Sequence, residues 1–167
     1  NFEGYLEWVR STKSDKWAEA YLQLFRSGAI EAVDRSLAAV KDDQGFLNPA
    51  YEVHVVDALR KYLVFERNIG RNPPLVVMLS LIGAKGHVVC TPKDAFVSQP
   101  VPIDRDVLSL PDLLVDTLDV DAAAVLKPAF DVIQQTVGRR GSPFYDHKGA
   151  WIESEAEMVR REERIRA

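Results

Sequence analysis

The chain has 167 residues, 47% of them apolar and 28% charged, with a net charge of −4. That length supports one domain with a sizeable core. The charge gives no reason to expect a nucleic-acid-binding surface over the whole chain. A single cysteine, Cys90, excludes an internal disulfide and a cysteine-based zinc site.

Gly4–Arg10 reads as a first strand and residues 11–16 as a polar loop. Tyr21–Arg26, the pair Ser27-Gly28 and Ala29–Val33 read as a β-hairpin, because glycine permits the positive φ that tight turns require. Residues 34–40 give a weak element and 41–45 a loop. Asn48-Pro49 has the pattern of an N-cap followed by a first-turn proline. Val55, Val56, Leu59, Tyr62, Leu63 and Ile69 follow at helical spacing, so a helix is expected over 49–69, with Gly70 as its C-terminal cap.

The longest apolar run, Leu75 to Ile82, is broken only by Ser80 and does not alternate. Such a run predicts a central strand covered on both faces. Gly83–Gly86 then gives a turn and His87–Cys90 a returning strand. Residues 91–102 read as loop. Asp106–Leu110 and Leu113–Leu118 read as short strands interrupted by Pro111. Asp119 and Asp121 are N-cap candidates for a helix over 122–137, ended by Gly138, in which Pro128 predicts a kink or a split. Residues 139–149 read as loop. Trp151–Arg166 is rich in Glu and Arg, as expected of a solvent-facing helix or frayed tail.

Hairpin signals and helices together predict an α+β fold. It has a mixed or mainly antiparallel sheet of about five to seven strands, two main packed helices and a charged C-terminal helix. The expected division is one α+β domain over 1–150 and a helical tail over 151–167. The chain opens without an initiator Met, inside what looks like a folded motif, and reads as a fragment of a longer, cytoplasmic protein. No stretch has the length of a membrane span, and no membrane partner is expected.

The chemistry-bearing motifs are sparse. There is no phosphate loop, HExxH motif or nucleophile elbow, and no cofactor or metal site is read from the sequence. Among the three histidines, His54 is expected at a helix surface near Asp57, and His87 opens a strand. His147 lies in a polar loop where Tyr145, Asp146 and His147 are candidate ligand contacts. Asp104, Asp106, Asp112, Asp116, Asp119, Asp121 and Asp131 stand against Arg105 and Lys127 alone, so residues 101–137 are acidic. Capping and solvation explain the acidic residues better than a cation does. Arg60, Lys61, Arg67 and Arg71 along the long helix, with Arg139 and Arg140, are candidate nucleic-acid contacts if they converge. The alternative reading is a solvated basic face near helix C-termini.

Several stretches taken together resemble a family. Residues 1–5 (NFEGY), 20–33 (AYLQLFRSGAIEAV), 74–83 (PLVVMLSLIG), 103–111 (IDRDVLSLP), 126–131 (LKPAFD) and 142–151 (SPFYDHKGAW) are similar to the region that follows the AlbA-type DNA-binding domain of bacterial Schlafen-like proteins. Those proteins are described as ATP-binding or as transcriptional-regulator-like. The resemblance implies a partner in the N-terminal AlbA-type domain of the same polypeptide and possible contact with nucleic acid through the full-length protein, and it carries no catalytic or binding residue onto this chain. The expectation is therefore a non-catalytic accessory domain serving regulation, assembly or partner recognition. The alternatives are a nucleic-acid-binding module, and a metal-dependent hydrolase using Asp146, His147 and the central aspartates. A homodimer through a sheet edge or the tail helix is a further expectation.

Overall fold

The computed structural model describes residues 3–11, 14–41, 43–90 and 101–166. Among these residues there are ten strands and three helices in a mainly antiparallel α+β arrangement. The strands are spread over four small sheets of two or three strands. The chain divides into two compact units, 1–39 and 40–167. The C-terminal helix is tied into the second unit and does not stand alone as a tail.

The first unit is a three-stranded antiparallel sheet of β1 (Gly4–Ser11), β2 (Ser14–Phe25) and β3 (Ile30–Asp34), in the order β1-β2-β3. Trp8 lies opposite Tyr21, and Tyr21 opposite Val33. The β2–β3 turn forms where glycine was expected to allow it. Gly28 has φ 88°, and Phe25 N–H donates to the Ala29 carbonyl across the turn. Strand β2 begins at Ser14, earlier than the sequence suggests, because Val9–Ser11 of β1 pairs with its N-terminal half through an irregular register.

The chain enters the second unit within β4 (Ala38–Lys41). β5 (Gln44–Leu47) occupies residues expected to be partly loop. Helix α1 runs Tyr51–Asn68, starting two residues later than the Asn-Pro signal implies. The Asn48 side chain accepts from Ala50 N–H at 2.9 Å, so it closes a turn ahead of the helix and does not cap its first turn. The other end is as expected: Gly70 has φ 75°, Gly70 N–H donates to Arg67 and Arg71 N–H to Glu66, a Schellman closure. Helix α2 (Ala122–Thr136) is capped by Asp121, whose side chain accepts from Ala123 N–H at 3.1 Å. It ends in the same closure around Gly138. It remains one helix through Pro128, which is exposed and leaves the buried stripe of Leu126, Ala129, Phe130 and Ile133 intact.

Residues 75–82 and 107–115 form one long antiparallel ribbon. β6 (Leu75–Val77) pairs with β10 (Leu113–Val115), and β7 (Ser80–Ile82) with β9 (Val107–Ser109). Between these pairings the second strand carries one more residue than the first, a bulge around Pro111, which has no N–H to offer a ladder. β8 (Val88–Val89) does not return along this ribbon. It pairs in parallel with β5, Phe46 opposite Val88 and Leu47 opposite Val89. The core lies where α1 and α2 pack together and α2 packs on the β10 strand of the ribbon. Phe130, Leu126, Ile133, Val115, Val56 and Val53 are almost or wholly buried there. Helix α3 (Glu153–Arg166) packs on α1 through Ala156 and Val159.

Candidate interaction surface

The reading of Leu75–Ile82 as a central strand covered on both faces is overturned. Exposure alternates along the run. Leu75, Val77, Leu79 and Leu81 turn inward, and Val76, Met78, Ser80 and Ile82 turn outward. The partner strand does the same, with Leu108, Leu110, Leu113 and Val115 inside and Val107, Ser109 and Leu114 outside. The outer face is apolar: Val76 is 57% exposed, Met78 76%, Ile82 80%, Val107 51% and Leu114 59%. A half-buried antiparallel strand normally alternates apolar with polar residues. This ribbon carries apolar residues on both faces although its outer face is exposed, and that mismatch is what singles the surface out.

The ionisable residues with the most unusual environment lie inside the molecule. Glu52, in the first turn of α1, is wholly buried. Its Oε1 accepts from Tyr51 Oη at 2.9 Å and from Gln134 Nε2 at 3.1 Å, and its Oε2 accepts from Ser142 Oγ. Gln134 Oε1 in turn accepts from Arg139, which also donates to the Val89 carbonyl at 3.0 Å. Burial pushes the Glu52 carboxyl above the usual carboxylate range, against the three hydrogen bonds that favour its ionised form. The same burial, with the neighbouring Glu52 charge, pushes the Tyr51 hydroxyl far up. This closed cluster joins α1, α2 and the loop after α2. Each partner saturates another, so its chemistry is that of a structural lock. Nothing in the sequence marked it: Glu52 lies within the stretch read as helix and Ser142 within the stretch read as loop.

The sequence-derived candidates fall in separate places. Arg60 bonds Asp57 and Glu153, and Arg67 bonds Asp119 and the Leu118 carbonyl. Arg71 lies 3.8 Å from Glu66. Arg139 belongs to the buried cluster, while Lys61 and Arg140 are exposed. Arg60 and Arg67 do flank one open cleft of about 240 Å³, but Asp119 shares its wall. The six cations thus meet carboxylates, carbonyls or solvent in several places, and the electrostatic footprint of a phosphate-binding patch is weak.

The Tyr145–His147 loop is held by its own residues. Tyr145 Oη donates to the Ala123 carbonyl at 2.6 Å, and its ring packs edge-on against Trp151. Asp146 accepts from Lys148 N–H and Ala150 N–H, and these backbone bonds hold its carboxyl below the usual range. Of the three residues, His147 and Asp146 are exposed and Tyr145 is buried. Asp57 bonds Arg160 at 2.8 and 2.9 Å. Among the described residues no three His, Cys, Asp or Glu side chains converge to hold a metal ion. Also among these residues, no helix is long and apolar enough to cross a membrane.

No family model, no curated protein and no solved structure matches the chain.

Proposed function

We propose that this chain is a non-catalytic accessory domain of a Schlafen-like, DNA-binding regulator in the cytoplasm, and that it works by recognising a partner. The observation that carries the partner-recognition part is the outer face of the 75–82/107–115 ribbon. Five aliphatic or thioether side chains, each more than half exposed, stand on one face of the ribbon. A contiguous exposed apolar patch on a folded domain marks an interaction site more often than a solvent face. The Schlafen-like context rests on the sequence stretches quoted above, and it makes an AlbA-type domain upstream of Asn1 the natural neighbour. The non-catalytic part is supported by the disposition of the acids and bases: Glu52, Asp57, Asp146 and Arg160 are engaged in internal hydrogen bonds that hold helices and loops together.

The test is a turnover assay with the purified chain on nucleoside triphosphates, single- and double-stranded DNA, and RNA, with and without divalent cations. The expected result is no turnover above a heat-denatured control. Turnover that co-purifies with the chain and is lost on replacing Asp146 or His147 would refute the reading.

A further inference from the structure

We propose that Met78 is a reversible oxidation site that switches the outer ribbon face between an apolar and a polar state. This rests on the partner-recognition reading above and adds how that surface is regulated. Val76 stands opposite Leu114 at one end of the face, and Ile82 opposite Val107 at the other. Between these apolar pairs the ribbon sets Ser80 opposite Ser109, and both serines are exposed. Met78 points to the same side, two residues from Val76 and two from Ser80, and is 76% exposed. Along its own strand, its thioether is the apolar side chain that links Val76 to Ile82, which are about 20 Å apart. With a polar group at 78, the outer side of that strand keeps apolar residues only at its ends, with polar atoms at 78 and 80 between them.

The chemistry needs access to the sulfur and an oxidant of the peroxide class. A lone pair on Met78 Sδ attacks one oxygen of hydrogen peroxide. The S–O bond forms as the O–O bond breaks. The transferred oxygen gives up its proton, and the departing hydroxide takes it to leave as water. Sulfur is oxidised and the peroxide is reduced. The sulfoxide is a polar hydrogen-bond acceptor where an apolar thioether stood. A methionine sulfoxide reductase reverses the step: a dithiol becomes a disulfide, and the oxygen leaves as water. The ribbon is paired through backbone groups, and Met78 points away from its buried side. Oxidation therefore changes the surface and leaves the fold in place. The other methionine, Met158, lies on α3 and is 52% exposed, so its oxidation alters a different element.

The experiment treats the full chain carrying Met158→Leu with hydrogen peroxide. Peptide mass mapping follows the sulfoxide at Met78, and retention on a phenyl hydrophobic-interaction column reads the exposed apolar surface. Met78 is expected to oxidise within about tenfold of the rate of N-acetylmethionine amide, as an exposed thioether does. The oxidised chain is expected to elute earlier, with unchanged circular dichroism. Dithiothreitol with reductases for both sulfoxide epimers is expected to restore the original retention. Met78→Gln is expected to elute early without peroxide. In Met78→Leu with Met158→Leu, peroxide is expected to leave retention unchanged, which separates Met78 from oxidation at Cys90. Ile82→Glu reports whether this face governs retention at all, and earlier elution is expected.

Suppose first that Ile82→Glu shortens retention. Sulfoxide formation at Met78 that leaves retention unchanged, or oxidation slower than the tenfold limit, then overturns the switch and leaves partner recognition standing. Retention that the reductases fail to restore overturns its reversibility, and a loss of circular dichroism on oxidation shows damage to the fold and overturns it as well. If instead Ile82→Glu and Met78 oxidation both leave retention unchanged, the outer face is covered, and the proposed function falls together with the switch.

Discussion

Replacing Glu52 tests the buried cluster most directly. In Glu52→Ala, Tyr51 Oη, Gln134 Nε2 and Ser142 Oγ all lose an acceptor inside the core. An orphaned buried donor costs about 1–3 kcal/mol. Gln134 Nε2 already approaches Tyr51 Oη at 3.3 Å and can keep that bond. The loss is also offset by no longer burying a carboxylate. Together these give a net destabilisation of about 3 kcal/mol. Glu52→Gln keeps the Oε1 acceptor but turns a donor toward Ser142. The Ser142 hydroxyl, which already accepts from Phe144 N–H, must then find another acceptor, at a cost of about 1 kcal/mol. The pH dependence separates the two contributions. The folded carboxyl sits above its ordinary value, so the native state binds more protons than the unfolded chain and stability falls as pH rises. The favourable contribution is full below the ordinary carboxylate range and is lost as pH climbs through the raised folded value. Urea unfolding followed by tryptophan fluorescence from pH 4 to 8 reads it out (the range is set at about the ordinary carboxylate value and above). The stability difference between Glu52→Gln and wild type should move in favour of Gln as pH rises. A difference that stays flat across that range, or a Glu52→Ala loss below about 0.5 kcal/mol, would refute the argument.

Three further outcomes follow from the local geometry. Arg160 donates to Asp57 on α1 and to Glu153 on α3. Arg160→Ala should cost about 1 kcal/mol after allowance for solvent screening, and hydrogen exchange should speed up in α3 before it does in α1. Asp121→Ala removes the α2 cap and should lower stability by about 1 kcal/mol, with faster exchange at Ala123; unchanged exchange there would contradict the capping role. Asp146→Ala should expose Lys148 and Ala150 N–H to faster exchange. In the wild type those amides should lose protection as pH falls, because the depressed Asp146 carboxyl contributes above its ordinary value and less as it protonates.

Local signals carried much of the fold. Gly28, Gly70 and Gly138 adopt the positive φ their positions required, Asp121 caps α2, and Pro111 interrupts its strand. These devices act over a few residues, so a linear pattern records them. Asn48 shows how far such a pattern reaches. Its side chain bonds two residues on, as an asparagine before a helix can, but it closes a separate turn. The Glu52 cluster was illegible for a different reason. Its partners are 82 and 90 positions away in sequence, and an acid in a first helical turn looks the same whether it is solvated or enclosed. The basic residues of α1 read as a free cationic stripe because Asp119 and Glu153, which pair with two of them, arrive from elsewhere in the chain.

What the sequence determined by itself was the α+β class, the positions of the three helices, and the apolar character of Leu75–Ile82. Periodicity and turn chemistry are local, and local free energies of about 1 kcal/mol at each cap or turn are enough to place an element. Tertiary structure decided which face of each element is covered. The apolar run called for cover on both sides, whereas among the described residues α2 packs on the β10 strand of the ribbon and Val76, Met78 and Ile82 stay exposed. Burial is a property of neighbours, and neighbours are chosen by the packing of the whole second unit. The same eight residues therefore supply part of the core with Leu75, Val77, Leu79 and Leu81, and part of a candidate docking surface with Val76, Met78 and Ile82.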